Sequence, residues 1–531
     1  MSQTEQNIPQ KPNRRKFLTY AGAAAAVIIV GGVAYYIGTS NRQTSTTTAT
    51  STLAPTTVTS TSTLAPTTVT STSTLAPTTV TSTSTLAPTT VTTTTTSTTT
   101  KLAAPIDFWS PPWGDPTLQK NLINGYVAGY NQQTGNAATW EYLDWTTTFN
   151  REALIFEGGA APDVAIGCFT STYAPRSTAT LGLMPLDDYV NTLLNQNDYA
   201  IDLTTADPGL DYYFPDSIAP GGHNWWAVPW FAETCASTYR KDIFEQNNIT
   251  PPTTLDEQVE IGKKLTNPSG GVYAMGMGWG DPVSVCNNWS YTFLAMGGGD
   301  GKGGPYLEPD ANGIYWNSTK MAINNDAAKA SLQYWYDMVW TYNIVSPEVT
   351  SPTYNAESDF MAGKALWFTA PAWVGADINS SAPQLKGKFD AFMLVKDATT
   401  GLRGASIVYC PYYIYATTKY PDACVDFINY LNDPARELTI DLQYRLEPLK
   451  KSAITDPTFL ADTYMKVFVD QINTGEVHAI PPGNPHSQAL VASSTGPIYN
   501  MVMSVLSKTA TIPEAIATCE TAGNAILAQP V

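Results

Sequence analysis

Charge is what this sequence has least of. Only 14% of its 531 residues are charged, and the 45 acidic residues outnumber the 28 basic ones, giving a net charge of −17. A nucleic-acid-binding surface needs an excess of positive charge, so we expect no nucleic-acid partner. Histidine is also scarce: there are three, His223, His478 and His486, and their wide spacing does not indicate a metal site.

The short motifs that carry catalysis are missing as well. The sequence contains no Gly-x-x-x-x-Gly-Lys phosphate loop, no Gly-x-Ser-x-Gly, no His-Glu-x-x-His and no Cys-x-x-Cys. We therefore predict a protein that is not an enzyme and that holds no cofactor or metal. The six cysteines are spread too widely for a zinc site and allow many pairings. In an exported protein, Cys235 with Cys286 is the first pairing we would expect.

An uncharged segment follows a basic N-terminus. Residues 1–20 contain the run NRRKFL at 13–18, which resembles a twin-arginine export signal and also fits an ordinary basic flank. Residues 21–38 carry no charge, and as a helix they would rise about 27 Å, close to the ~30 Å bilayer core. The positive-inside rule places the N-terminus in the cytoplasm and the rest of the chain outside. We expect a retained transmembrane anchor, although the sequence leaves cleavage open.

Residues 39–101 form a tract of serine and threonine with an internal repeat. Leu-Ala-Pro recurs every 11 residues, at Leu53, Leu64, Leu75 and Leu86. A period of this length is also typical of right-handed coiled coils, but the prolines and the many β-branched threonines exclude a helix. The composition is typical of an extended, O-glycosylated stalk. We predict a disordered linker that tethers the folded body to the membrane.

The sequence from residue 102 onward predicts a folded α/β body. Short apolar strands at 106–109 and 163–166 alternate with helical patterns at 118–130, 326–342 and 420–431. Such alternation predicts largely parallel sheets. The body is longer than one hydrophobic core usually supports, so we expect two lobes.

Seven segments of this body, taken in order, are similar to those of a known family. They are IDFW (106–109), GGAAPDV (158–164), LGLMPLDDY (181–189), AVPWFAE (227–233), PTTLDE (252–257), FMAGKAL (360–366) and ACVDFINYL (423–431). Over residues 105–528 the chain resembles the extracellular solute-binding proteins of ABC sugar importers, which include the maltose- and trehalose-binding proteins. The stalk and the acidic body also resemble archaeal surface binding proteins from acidic habitats.

The resemblance implies an α/β fold of the periplasmic-binding-protein-like type II, with two lobes joined by a hinge. Lobe 1 would comprise residues 102–230 plus about 405–440, and lobe 2 residues 231–404 plus about 441–531. It also implies a monomeric extracellular receptor, anchored by the N-terminal helix, that delivers a mono- or oligosaccharide to an ABC transporter permease. A surface structural or adhesion protein and a glycoside hydrolase are the alternatives.

Sugar binding needs aromatic rings that stack on C–H faces and polar groups that bind hydroxyls. Loop position together with the resemblance predicts the binding residues Trp113, Asp115, Trp230, Glu233, Trp279, Asp281, Trp289, Trp373, Tyr412 and Tyr413. Three other tryptophans fall inside helix or strand patterns and are expected in the core: Trp335, Trp340 and Trp367. The candidate N-glycosylation sites are the sequons at Asn248, Asn288, Asn317 and Asn379.

Overall fold

The computed structural model divides the chain into two units, residues 1–101 and 102–531. In the first unit the described residues are 58–62, 71–75, 78–82 and 91–95. In the second they are 103–530 except 112, 114–115, 168–176, 178–179, 194–197, 199–212, 215–223, 280–281, 300, 302–304, 310–314, 316–317, 480–483, 485 and 492–494. Within these ranges no helix is both long and apolar enough to cross a bilayer. The predicted anchor at 21–38 lies outside the described residues.

The described part of the first unit consists of four short strands. They are β1 (Val58–Ser62), β2 (Ser71–Leu75), β3 (Thr78–Ser82) and β4 (Val91–Thr95). β1 pairs antiparallel with β4, and β2 pairs antiparallel with β3. We predicted a disordered linker over this tract, whereas these segments form ladders, because β-branched threonine and valine favour the extended backbone.

A seven-stranded sheet, called the first sheet below, forms one half of the second unit. Its strands are β5 (Pro105–Ser110), β6 (Ala137–Tyr142), β7 (Val164–Ile166), β10 (Val228–Glu233), β15 (Ala405–Ile414), β16 (Glu447–Pro448) and β17 (Val477–Ala479). Their spatial order is β16-β10-β15-β7-β5-β6, with β17 pairing to β15. β5 is parallel to β6 and β7, while β15 is antiparallel to β7 and β10. A separate two-stranded ladder joins β8 (Tyr213–Phe214) to β9 (Asn224–Trp225).

A four-stranded sheet, called the second sheet, forms the other half. It contains β11 (Cys235–Tyr239), β12 (Tyr273–Gly276), β13 (Ala365–Pro371) and β14 (Asp390–Phe392) in the order β12-β13-β11-β14. β13 is parallel to β12 and antiparallel to β11. Every residue of β11 and β13 is buried, so these two strands have no solvent-exposed face.

Seventeen described helices connect the strands. In chain order the first eight are α1 (Pro116–Thr134), α2 (Trp145–Ile155), α3 (Val190–Leu193), α4 (Lys241–Gln246), α5 (Leu255–Leu265), α6 (Pro282–Ala295), α7 (Asp326–Tyr336) and α8 (Ala356–Met361). The rest are α9 (Val374–Ser381), α10 (Pro421–Leu431), α11 (Pro434–Tyr444), α12 (Lys451–Ile454), α13 (Pro457–Leu460), α14 (Thr463–Asn473), α15 (Ser487–Val491), α16 (Pro497–Leu506) and α17 (Ile512–Leu527). Several helices begin at a side-chain cap; Thr254, for example, accepts a hydrogen bond from the backbone N–H of Glu257.

Each sheet has its own hydrophobic core. One buried cluster surrounds the first sheet, and two others surround the second sheet and its helices. Trp335 and Trp367 are buried and Trp340 packs at the edge of the same cluster, as the sequence patterns predict. Separate cores for the two sheets agree with the length argument that a single core would not suffice.

The chain crosses between the two sheets where their strands end. β10 of the first sheet ends at Glu233 and β11 of the second begins at Cys235, so only Thr234 separates them. The chain returns to the first sheet at Ala405, where β15 begins, and after β16 it leaves again for α14, which packs against β14. These crossings bring backbone from distant parts of the sequence together at one place.

The expected disulfide does not form. Cys235 and Cys286, like the other three cysteines in the described part of the chain, are buried thiols. Cys235 lies on β11 and Cys286 on α6, each packed in a core where small apolar side chains are favoured. Burial therefore explains these cysteines without a covalent link.

Candidate ligand-binding site

The register of the second sheet places Glu233 opposite Trp373. In the β11–β13 ladder Cys235 pairs with Pro371. Counting two residues back from Cys235 and two forward from Pro371 gives Glu233 and Trp373, just beyond the end of the ladder. Antiparallel strands keep such partners close, so these two side chains meet although 140 residues separate them in sequence.

The two side chains form a direct hydrogen bond. Nε1 of Trp373 donates to Oε2 of Glu233 at 3.1 Å, and both residues are half-buried. Trp373 packs against the core of the first sheet and also against a core of the second. It then begins α9 as its N-cap residue. The arrangement presents an aromatic ring and a carboxylate together at the junction of the two sheets.

A buried polar network fixes the crossover beside this pair. The hydroxyl of Thr234 donates to the carbonyl of Ser406, on the returning strand β15. Gln471, on α14, donates through Nε2 to the Thr234 hydroxyl at 3.0 Å and to the carbonyl of Cys235 at 2.7 Å. The backbone N–H of Thr234 donates to Oε1 of Glu447 at 3.3 Å. Thr234 is thus tied to β15, β16 and α14.

Tyr291 on α6 closes the network from the side of the second sheet. The Ser406 hydroxyl is hydrogen-bonded to the Tyr291 hydroxyl at 3.0 Å. Burial raises the pKa of Tyr291 well above its usual value, and the nearby Cys235 and Glu233 raise it further. Burial likewise raises the pKa of Glu447, which the carboxylate of Glu233 raises further. The site therefore contains one half-buried carboxylate next to neutral buried groups.

Four aromatic residues that include three predicted contacts form one cluster in the first core. Trp113 and Trp230 are 4% and 2% exposed, and their rings meet edge to face with centroids 6.3 Å apart. Phe231 contacts both rings, and Tyr412 lies 5.3 Å from the ring of Trp230. Trp373 packs against this same core. A ligand contact for Trp113, Trp230 or Tyr412 stays a prediction.

Two further predicted contacts are fully buried in the core clusters. Trp289 is fully buried on α6 and stacks on Phe293 with centroids 5.1 Å apart. Tyr413 is fully buried on β15, and its hydroxyl donates to the carboxylate of Glu152. Neither ring has an exposed face in this structure, and a ligand contact for either residue stays a prediction. Trp279 is 8% exposed in the core cluster that Trp373 also contacts, so its ligand role stays a prediction.

The remaining predicted residues are two aspartates and the four asparagines of the sequons. Asp115, Asp281 and the sequon Asn317 lie outside the described residues. Asn248 is exposed and Asn379 half-buried, and both stay candidate glycan sites. Asn288 is not one in the folded protein, because it is 2% exposed and its amide donates to the carbonyl of Ser284 within α6.

Sequence reasoning missed Thr234, Tyr291, Ser406, Glu447 and Gln471. These residues lie on four separate elements and one crossover, and no motif or spacing joins them. Their common property is burial of a polar group, which becomes visible only when the sheets are assembled. Among the described residues, no cluster of three or more histidine, cysteine or acidic side chains is arranged to hold a metal.

Solved structures of solute-binding proteins share this fold. An ABC transporter solute-binding protein from Thermotoga lettingae, bound with α-D-tagatose, is 16% identical with a TM-score of 0.65, covering 80% of this chain and 100% of its own. The maltose-bound T. maritima MalE3 is 20% identical with a TM-score of 0.62, covering 79% and 99%. The GacH receptor of Streptomyces glaucescens is 17% identical with a TM-score of 0.64, covering 80% and 99%. At these identities the likeness shows the fold, which confirms the predicted class.

Sequence comparison defines the family. No curated protein sequence matches the chain. The model of the bacterial extracellular solute-binding protein family matches residues 115–436, which is more than half of the chain. The matched range includes β10, β11, β13 and the Glu233–Trp373 pair. The chain therefore belongs to the bacterial extracellular solute-binding protein family.

Proposed function

We propose that this protein is an extracellular sugar-binding receptor that captures a mono- or oligosaccharide between its two sheets and delivers it to an ABC transporter permease. The observation that carries the proposal is the Glu233–Trp373 pair at the crossover. An indole ring stacks on the C–H face of a sugar, and a carboxylate accepts hydrogen bonds from its hydroxyls. A carboxylate offers about four acceptor positions, so Glu233 can bind more than one donor, and Trp373 is one of its donors.

The ligands of proteins with the same fold support this ligand class. The structures named above contain tagatose, maltose and, for GacH, acarbose. They range from one sugar unit to several, so both short and longer saccharides are candidates here. The protein acts as a binding protein and not as an enzyme, and incubation with maltotriose should release no reducing ends.

Membrane attachment is part of the same proposal. The uncharged segment 21–38 anchors the chain, and the body, a monomer, lies on the outer face of the cytoplasmic membrane. An arginine in the middle of such a segment opposes insertion. The variant Ile29→Arg should therefore move the full-length chain from the membrane fraction to the soluble fraction, and unchanged membrane recovery would contradict the anchor.

Titration of the purified full-length chain with maltose, maltotriose and D-tagatose tests sugar binding, with tryptophan fluorescence and calorimetry as readouts. Trp373→Ala should weaken binding at least about tenfold, because loss of a central Trp contact is typically about 2 kcal/mol. Trp340→Ala is the matched control: Trp340 is also half-buried and donates one hydrogen bond through Nε1, to the carbonyl of Leu506. Equal losses in both variants, or no binding of any sugar by the native chain, would refute the proposal.

A further inference from the structure

Glu447 is a fully buried carboxyl group in the crossover. It begins the short edge strand β16, where it pairs with Ala232 of β10. Oε1 accepts the hydrogen bond from the N–H of Thr234, and Oε2 is buried without a hydrogen-bond partner among the described residues. A buried acid that accepts bonds from backbone N–H groups and leaves one oxygen unpaired is costly to keep unless it stabilises the structure around it.

The hydrogen bond from Thr234 acts directly on Glu233. The N–H of Thr234 and the C=O of Glu233 belong to the same planar peptide unit. Fixing that N–H therefore fixes the plane from which the Glu233 side chain departs. The second hydrogen bond on Thr234, from its hydroxyl to Ser406, holds the other side of the same residue.

Several charged or titratable groups face Glu447. Glu233 approaches from β10, Asp441 from α11 and Tyr464 from α14. Asp441 in turn neighbours the ion pair of Glu437 with Lys450. Arg445, two residues before Glu447, pairs with Asp462. Carboxyl groups therefore outnumber the cations close to Glu447.

An ionised Glu447 would be unfavourable in this position. It has no solvent exposure, the bond it accepts from Thr234 is 3.3 Å long, and the carboxylate of Glu233 lies nearby. Burial and the Glu233 charge both raise the pKa of Glu447 well above its usual value. The neutral form keeps Oε1 as the acceptor for Thr234 and places no second charge beside Glu233.

We propose that Glu447 is a positioning residue for the ligand site: in its protonated form it fixes the peptide unit between Glu233 and Thr234, and so holds the Glu233 carboxylate beside Trp373. The inference rests on the proposed function for its ligand readout. It assigns to Glu447 no contact with the ligand.

The proposal predicts a pH dependence with a definite sign. Because the ordered site contains the protonated Glu447 and the ionised Glu233, affinity is constant from about pH 5 upward and falls once the pH exceeds the folded-state pKa of Glu447. For one linked proton the decline approaches tenfold per pH unit. Glu447→Gln retains the acceptor oxygen and cannot ionise, so its affinity should stay within about threefold of the native value at pH 5 and should not decline up to pH 9.

Two further variants separate positioning from general stability. Glu447→Leu removes the acceptor for Thr234 and should weaken sugar binding at least about tenfold at pH 5, in protein shown to be folded by near-UV circular dichroism. Asp441→Asn is the matched control, because Asp441 is also fully buried with a raised pKa but makes no hydrogen bond to the crossover. It should change the pH dependence of unfolding and leave the sugar affinity at pH 5, where both buried acids are protonated, within about threefold of the native value.

Hydrogen exchange provides a readout that needs no sugar. Amide exchange by mass spectrometry in a peptide covering residues 230–238 should show Thr234 losing protection at high pH in the native chain relative to Glu447→Gln. A native binding profile that stays flat, one that Glu447→Gln shares, or equal protection in the two proteins overturns the inference. If the native chain binds no sugar, the proposed function fails while the exchange comparison still decides the role of Glu447.

Discussion

Replacing Gly404 by alanine should damage the crossover more than any other single methyl addition next to the site. Gly404 immediately precedes β15, and a Cβ built on it would clash with the carbonyl oxygen of Tyr291 and lie 2.9 Å from the backbone nitrogen of Ala295. Both neighbours are backbone atoms of α6, so no side chain can rotate away. Overpacking in a core typically costs about 1–3 kcal/mol. A clash with a helix backbone should reach at least the top of that range.

The clash should also disturb binding, because Ser406 lies two residues further along β15 and accepts the hydroxyl hydrogen bond of Thr234. We expect Gly404→Ala to lower the free energy of unfolding in urea by about 3 kcal/mol or more, and to weaken sugar binding in the protein that still folds. Gly125→Ala is the control: its Cβ would meet nothing within 4 Å in α1, and alanine should stabilise the helix by about 0.5–1 kcal/mol. A Gly404→Ala protein as stable as the native chain would refute the close approach of β15 and α6.

Three other predictions concern buried groups. Lys450→Met should lower the free energy of unfolding by about 3–5 kcal/mol at pH 8, where it leaves the buried Glu437 carboxylate without its ion-pair partner. The loss should be smaller at pH 5, because burial raises the pKa of Glu437 to about 7 and the group is then protonated. Equal losses at both pH values would contradict this. The native chain should lose stability as the pH rises from about 4.5 to 7, because the folded state keeps protons on Glu437, Asp441 and Glu447 that the unfolded state releases. Urea titrations across this range measure how the free energy of unfolding changes with pH. A free energy that rises with pH would contradict the prediction. In the folded Cys168→Ser variant, a thiol reagent should label no cysteine within minutes. After unfolding without reductant it should label all five, namely Cys235, Cys286, Cys410, Cys424 and Cys519. Fewer than five labelled cysteines would indicate a disulfide.

Local patterns predicted the elements of the body well. The strand expected at 106–109 is β5 (Pro105–Ser110), and the helix expected at 118–130 is α1 (Pro116–Thr134). The helix expected at 326–342 is α7 (Asp326–Tyr336) continued by a π-helical turn to Thr341. Hydrophobic periodicity is a local property of the chain, so it reports such elements without knowledge of the tertiary fold.

Side-chain depth could not be predicted in the same way. Trp289 was assigned to the ligand because it follows the Gly278–Pro282 loop, but α6 already begins at Pro282. Within that helix Trp289 and Phe293 are four residues apart and share its buried face. Tyr412 and Tyr413 were both expected near the ligand, yet nine of the ten residues of β15 are buried, so alternation along the strand identifies no solvent face.

The Glu233–Trp373 pair depends on strand register and not on a motif. The two residues are 140 apart, and they meet because Cys235 pairs with Pro371 at the end of the β11–β13 ladder. A slip of one residue would turn every side chain of one strand to the opposite face and place Ala372 or Val374 opposite Glu233. Since both strands are buried along their whole length, core packing on both faces resists that slip. The Glu233–Trp373 pairing is therefore specified by apolar residues of the second sheet, which is why a search for polar motifs alone could name the two residues but could not pair them.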